Sequence, residues 1–351
     1  MPEGPDNSVI PQEKRAAVVC GLGSAFGVTD FEDFRRLTNG PESNLIFRIV
    51  VQGHPFLLRI ATRSSATIGP AREFACLMAA AEAGLSPRVW YASVEDRISI
   101  TDFVDAVPFP ATEARIQMPA LLRRLHALPP FPRLANPAFN TTCMFLMQKA
   151  STVDQFLARF EAADVADKSE TAELLALRAQ IAAVYPKHNT DLVSSHNDLF
   201  KPDNILFDGQ RVWLVDWEAA FLNDRYADLA VVANLVVGNA SEEEIYLREY
   251  FGGPPDEYQR ARFFLMRQVA HIFYAMAFLL LASPGHRVHL REKRFEFKDF
   301  QRGIWTNEVS LRGKEMKIAF GVGNWEQLLQ NAHQPRFREA LRIVSDRNAC
   351  R

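Results

Sequence analysis

Cysteine is scarce in this chain: Cys20, Cys76, Cys143 and Cys350 are the four among 351 residues. They lie too far apart for zinc-ligand spacing and are too few for a disulfide scaffold, so reduced thiols in a cytoplasm are expected. An excess of one charge is also missing. Lys and Arg total 40 against 42 Asp and Glu, a formal net charge of -2, which leaves no basic field to hold nucleic acid or an anionic membrane. A long uninterrupted apolar run is absent too. FFLMRQVAHIFYAMAFLLLA (263–282) is broken by Arg267, Gln268 and His271, which predicts a buried helix and no membrane insertion. The opening MPEGPDNSVIPQEKR lacks the apolar stretch of a signal peptide and reads as a frayed polar tail over 1–15.

What is present is an average globular balance, 48% hydrophobic and 23% charged residues, in a length that suits about two domains or one bilobal one. Residues 16–34 carry helical spacing. LIFRIVVQGHPFLLRIAT (45–62) reads as a hairpin turning at Gln52-Gly53-His54-Pro55, and VWYASVEDRISITDFV (89–104) as strands around Glu95-Asp96. Between them, AREFACLMAAAEAGL (71–85) places Phe74, Leu77, Met78, Ala81 and Leu85 on one helical face. Beyond VDAVPFP the pattern is mostly helical, over 112–128, 151–165, 170–185, 222–237, 241–251, 256–283 and 325–345. The boundary falls near 105, giving domains 1–105 and 106–351.

The stretch SHNDLFKPDNILFDGQRVWLVDWEA (195–219) breaks the helical half. Ile205-Leu206-Phe207 and Arg211-Val212-Trp213-Leu214-Val215 form a hairpin about Asp208-Gly209-Gln210, where Asp-Gly supplies the positive φ angles of a tight turn. Folding it carries Asn204 and Asp216 to one open end, with Asp198 on the loop just before. Such oxygen donors suit a hard cation such as Mg²⁺, which borrows further ligands from phosphates, with a nucleotide as their source. The spare carboxylate, Asp198, is then placed to take a proton from a hydroxyl. Eight acids against three bases over 191–229 support a local charged site, because buried carboxylates need a partner or a metal. His196 reads as a buried histidine that orients the loop, and Lys201 as solvated.

The segment resembles the catalytic and metal-binding loops of the choline kinase and aminoglycoside phosphotransferase superfamily, whose pattern is His-x-Asp, a following Asn, and a strand ending Asp-Phe/Trp-Glu. His196, Asp198, Asn204, Asp216, Trp217 and Glu218 match, and Asp228-Leu229-Ala230 resembles the helix start that braces the catalytic loop. Asn39, Gly40, Ser43 and Asn44 resemble the loop over the nucleotide phosphates. Arg59 stands where the family places a phosphate-contacting Lys or Arg, Glu73 where its ion-pair partner lies, and Thr101, Asp102, Phe103 and Val104 where adenine meets the hinge. LLRRLHAL (121–128) resembles the Leu-His helix that follows. Two departures stand out. Asp198 and Asn204 are six residues apart where relatives usually show five, so the loop bulges around Phe200-Lys201-Pro202 or Asp203 shares the metal role. Leu235 occupies the place of a Glu that helps eukaryotic choline kinases hold the amine.

The resemblance implies an α+β, bilobal protein-kinase-like fold with a small antiparallel-sheet N-lobe and a larger, mainly helical C-lobe. It implies transfer of the γ-phosphoryl group of ATP, with Mg²⁺, to a hydroxyl of an amino alcohol, a thiamine-like cation or an aminoglycoside. Asp198 would be catalytic, with Asn204, Asp216 and Glu218 on the metal. The alternatives are a catalytically silent kinase-like module, against which Asp198 and Asp216 argue, and a peptide acceptor, against which the lack of a long activation loop between Asp216 and Asp228 argues. The aromatic residues Phe273, Tyr274, Trp305 and Trp325 read as core. Residues 285–317, with nine bases and five acids, read either as a solvated surface or as a screen for an acidic acceptor. Oligomeric state is left open.

Overall fold

A computed structural model describes residues 10–37, 44–61, 70–132, 158–186, 191–282, 287–288 and 296–349. It is mixed helix and sheet and divides into two compact units, one of residues 1–107 with 205–220 and one of 108–204 with 221–351. The first unit is built on five antiparallel strands, β1 (Asp33–Arg36), β2 (Asn44–Val51), β3 (His54–Ala61), β4 (Val89–Ser93) and β5 (Ile98–Asp102), in the order β1-β2-β3-β5-β4. The β2–β3 register pairs Val51 with His54, so Gln52 and Gly53 alone make the turn. Both have positive φ, 51° and 74°, the two-residue geometry that matches strand twist. Alternation then fixes the core: Phe47, Ile49, Val51, Phe56, Leu58 and Ile60 point one way and, with Ile98 and Ile100, pack against Val18 and Leu22 of α1 (Gln12–Phe26). Helix α1 begins at Gln12, inside the stretch read as a frayed tail, because Pro11 stands at its N-cap, where a missing N–H costs nothing.

Helix α2 (Pro70–Glu82) follows β3, and the hairpin of β7 (Ile205–Phe207) and β8 (Val212–Leu214) completes the unit. That hairpin was expected with the helical half. Bonds from segments far off in sequence hold it here: the Leu214 amide donates to the Leu85 carbonyl (2.8 Å), Ser86 Oγ to the Leu214 carbonyl (2.9 Å) and the Val107 amide to the Phe207 carbonyl (2.7 Å). The ladder is shorter than the sequence suggests. Arg211 and Val215 lie outside it, because Asp208 Oδ1 accepts from the amides of Gln210 and Arg211 and closes a wider turn.

The second unit is helical: α3 (Ala111–His126), α4 (Lys168–Val184), α5 (Arg225–Val236), α6 (Ala240–Phe251), α7 (Glu257–Ala282), α8 (Phe297–Trp305), α9 (Lys314–Ala332) and α10 (Pro335–Ala349). A two-stranded ladder of β6 (Leu192–Ser195) and β9 (Phe221–Asp224) was not foreseen, and it shortens the expected 222–237 helix from its front. The expected 325–345 helix is two helices, split where Pro335 cannot supply an intrahelical N–H. Of the expected 151–165 helix, 151–157 lies outside the described residues. Helix α7 is the one described helix long and apolar enough to cross a membrane, and 72% of its most apolar window is buried within the protein. Close backbone approach recurs around it: a Cβ on Gly323 of α9 would sit 2.0 Å from the Phe297 ring, and one on Gly321 2.8 Å from Leu279.

One titratable group is sealed in this helical core. His271 of α7 shares a 2.8 Å hydrogen bond with Asn324 of α9, and burial, only partly offset by Asn324 and reinforced by Arg267, pulls its pKa down to about 4. An unfolded histidine titrates near 6.5, so between these values the unfolded chain binds the extra proton. The stabilisation from burying a neutral ring is whole above about pH 6.5 and is lost as pH falls to 4, a swing of about 3 kcal/mol. Urea unfolding across pH 7 to 4 should show that decline, and His271→Gln should flatten it.

Candidate active site

The candidate residues fall into two groups, one in each unit. In the first unit, β3 presents Arg59 and α2 presents Glu73 to each other, and the two side chains pair through Arg59 Nη1 and Glu73 Oε1. Arg59 Nη2 also reaches Asp216 Oδ1 at 3.5 Å. Asp216 follows β8 with φ 66° and ψ 70°, a left-handed conformation that Asp tolerates better than most residues but that still costs of order 1 kcal/mol. Its neighbours hold it there. Trp217 is 1% exposed and donates Nε1–H to Ser86 Oγ, while Arg72 of α2 donates to the carbonyls of Glu218 (2.6 Å) and Ala220. Cys76, one turn further along α2, lies against the same Ala220 carbonyl, and burial pushes its thiol up to about 11, so it stays protonated.

Arg72 escaped the sequence reading because it bonds to main-chain carbonyls, which leave no trace in side-chain patterns. Of the residues read as nucleotide contacts, Asn39, Gly40 and Ser43 lie outside the described residues, and Asn44 opens β2 opposite Ala61. Thr101 and Asp102 end β5, where Asp102 Oδ1 accepts from Trp90 Nε1 (2.7 Å). Phe103 lies under Arg48, and among the described residues no hydrogen bond engages the backbone of Phe103 or Val104.

In the second unit the loop after β6 carries Asp198. The carboxylate of Asp228, in the first turn of α5 and buried, accepts from the amides of His196 (Oδ2, 2.8 Å) and Asn197 (Oδ1, 2.8 Å). His126 of α3 adds Nε2 at 3.4 Å and is held at Nδ1 by Tyr250 Oη (2.7 Å). Burial alone would raise the Asp228 pKa, but His126, His196 and the Asn197 amide together outweigh it and hold the carboxyl below its ordinary range. Asn197 is left-handed (φ 69°), and its side chain is locked by Asn223 Nδ2 (2.6 Å) and by donation to the Ser195 and Phe221 carbonyls. With the chain fixed one residue earlier, Asp198 Oδ2 accepts from Lys201 Nζ (2.7 Å) and Asn204 Nδ2 (3.1 Å), and Asn204 Nδ2 also reaches the Asp198 carbonyl (2.8 Å). Asn204 is buried at the end of a 3₁₀ turn, Pro202–Asn204, while Asp203 is exposed. Lys201, read as solvated, is an ion-pair partner of Asp198. His196 is fully buried.

The family model for phosphotransferase enzymes (APH) matches residues 33–264. The chain belongs to the phosphotransferase enzyme family. No curated protein sequence matches it. Among solved structures, a choline/ethanolamine kinase family protein from Mesorhizobium loti aligns with a TM-score of 0.64 at 20% identity, over 95% of this chain and 99% of that one. Choline kinase LicA from Streptococcus pneumoniae aligns at 0.55 and 14% identity, over 91% and 99%. A thermostable mutant of aminoglycoside phosphotransferase APH(4)-Ia aligns at 0.55 and 16%, over 90% and 99%. This phosphotransferase therefore shares their fold, an antiparallel-sheet N-terminal part and a helical C-terminal part, as its sequence suggested.

Asp228 generates a test. Replacing it by Ala leaves two buried amides without acceptors, which costs about 3 kcal/mol or more. Asp228→Ala should lower the denaturation midpoint accordingly, and Asp228→Asn, which keeps one acceptor oxygen but turns donors toward an amide, should recover less than half of the loss.

Proposed function

We propose that the chain transfers the γ-phosphoryl group of ATP to a hydroxyl of a small molecule, the acceptor class being an amino alcohol, a thiamine-like cation or an aminoglycoside. The observation that carries this reading is Asp198: a carboxylate 13% exposed, on a loop whose backbone is clamped by Asp228, in a chain of the phosphotransferase family. Asp198 orients the acceptor hydroxyl and takes its proton. Lys201 compensates the carboxylate while no substrate is present. Arg59, kept in place by Glu73, binds phosphate oxygens of the nucleotide, and the backbone of 101–104 receives the adenine.

The donor set fits Mg²⁺. Asn204 commits its amide N–H to Asp198, and among the described residues no donor engages its Oδ1. The Asp216 side chain is 30% exposed. An amide oxygen and carboxylates are hard donors of the kind Mg²⁺ takes, with the rest of its shell coming from waters and phosphates. The family resemblance assigns it to Asn204, Asp216 and Glu218. When bound, the metal supplies neutralisation of charge on the transferred group. These residues otherwise act by positioning, which is most of what phosphoryl transfer requires of a protein.

ADP release measured against choline, ethanolamine, thiamine, sugars and aminoglycosides tests the reading. One acceptor class should raise turnover, Asp198→Asn should cut kcat by about 10²- to 10⁴-fold, and Asp216→Ala should abolish the Mg²⁺ dependence of ATP binding. Binding of Mg-ATP without turnover of any hydroxyl would instead identify a silent module.

A further inference from the structure

The Asp198–Asn204 loop holds five intervening residues where a kinase catalytic loop holds four, and an unsupported extra residue would loosen the carboxylate the loop carries. Aligning Leu199 from one side and Lys201-Pro202-Asp203-Asn204 from the other leaves Phe200 as the addition. Its ring lies 5.0 Å from Tyr274 and 5.8 Å, edge-on, from Phe278, both on α7. Those rings continue into Phe320 of α9, at 5.8 and 4.8 Å, and Phe320 into Phe297 of α8 at 6.1 Å, the ring that only a glycine at 323 admits. On the loop side, the Lys201 ammonium that pairs with Asp198 lies 5.7 Å from the Phe200 ring, and the Asn204 amide closes the turn onto the Lys201 carbonyl (3.0 Å).

We propose that Phe200 is a positioning residue. It absorbs the extra loop length by docking its ring on the α7–α9 aromatic cluster, and so holds Lys201 and Asn204 against Asp198. The inference rests on the reading of Asp198 as the base. Asp228 fixes the loop's entry at 196–197, and Phe200 fixes its middle, so loss of the ring frees the segment between that anchor and the 3₁₀ turn. Each aromatic contact of this kind contributes about 1 kcal/mol, enough to change local opening about fivefold without unfolding the unit.

Hydrogen–deuterium exchange on the full chain tests this directly. In Phe200→Ala the amides of 199–204 should exchange about fivefold faster or more while those of α7 stay within about twofold of native, and Phe200→Tyr, which keeps the ring, should restore slow exchange. With Mg-ATP as the probe, Phe200→Ala should lower kcat for ADP release about 10- to 100-fold and leave KM for ATP nearly unchanged. Unchanged exchange at 199–204, or a loop and α7 that loosen equally, overturns the proposal. If Phe200→Ala does not fold, Phe200→Leu is read against the same two outcomes. Asp198→Asn separates the two claims: native turnover in that variant refutes the base, and the exchange result still decides the role of Phe200.

Discussion

The candidate active site depends on a carboxylate that touches no candidate substrate. Asp228 is sealed from water and accepts from two consecutive amides, those of His196 and Asn197. A buried carboxylate is tolerated only when its lone pairs are filled, and here each oxygen takes one amide of a loop that has no ladder of its own at that point. The bonding is reciprocal: the acid needs the amides as much as the amides need the acid. It also sits in the first turn of α5, where the helix end favours negative charge. Asp224 caps the same helix through the Tyr226 amide and is matched by Arg262 at 2.5 Å. Position is thus transmitted from a helix terminus to the backbone, and from the backbone to Asp198.

The two acids proposed as base and metal ligand share a local device. Asp216 is itself left-handed, and Asp198 directly follows a left-handed Asn197. Neither conformation is favoured in isolation, so each must be held by its surroundings. At Asn197 the holding groups are Asn223 and two carbonyls. At Asp216 they are the sealed Trp217 indole and the Arg72 guanidinium on main-chain carbonyls. A chain reversal of this kind turns a carboxylate out of the strand direction immediately after, or at, a fixed point, so that its orientation is inherited from rigid neighbours.

Much of this was legible in the sequence where the cause is local. Gly53 and Gly209 announce their turns because positive φ restricts residue type, and period-two alternation on either side gives the strands of the first unit. The joint spacing of His196, Asp198, Asn204 and Asp216 pointed to the phosphotransferase family before any fold was known. Pairings between distant segments left no such signature. The β6–β9 ladder joins residues about thirty positions apart through strands of four, too short for a periodic signal. β1 is a partly exposed edge strand of four residues with one apolar position, Phe34, and Arg72 is recognised by carbonyls alone. Nor does anything in the residues of the 205–214 hairpin say that Leu85 and Ser86 will bond to it.

Charge around Arg59 separates its two partners by role. One guanidinium faces two carboxylates, and the contacts are unequal. Glu73 is nearly sealed, its side chain 10% exposed, and in direct contact, whereas Asp216 is three times as exposed and 3.5 Å away. A partly exposed ion pair contributes at most about 1 kcal/mol, whereas separating a sealed pair strands a charge and costs several times more. Any cation that competes for these acids therefore draws away Asp216 and leaves Glu73. Arg59 remains anchored to α2 when Asp216 is taken, so the residue read as a phosphate contact keeps its place while the residue read as a metal ligand is free to change partners.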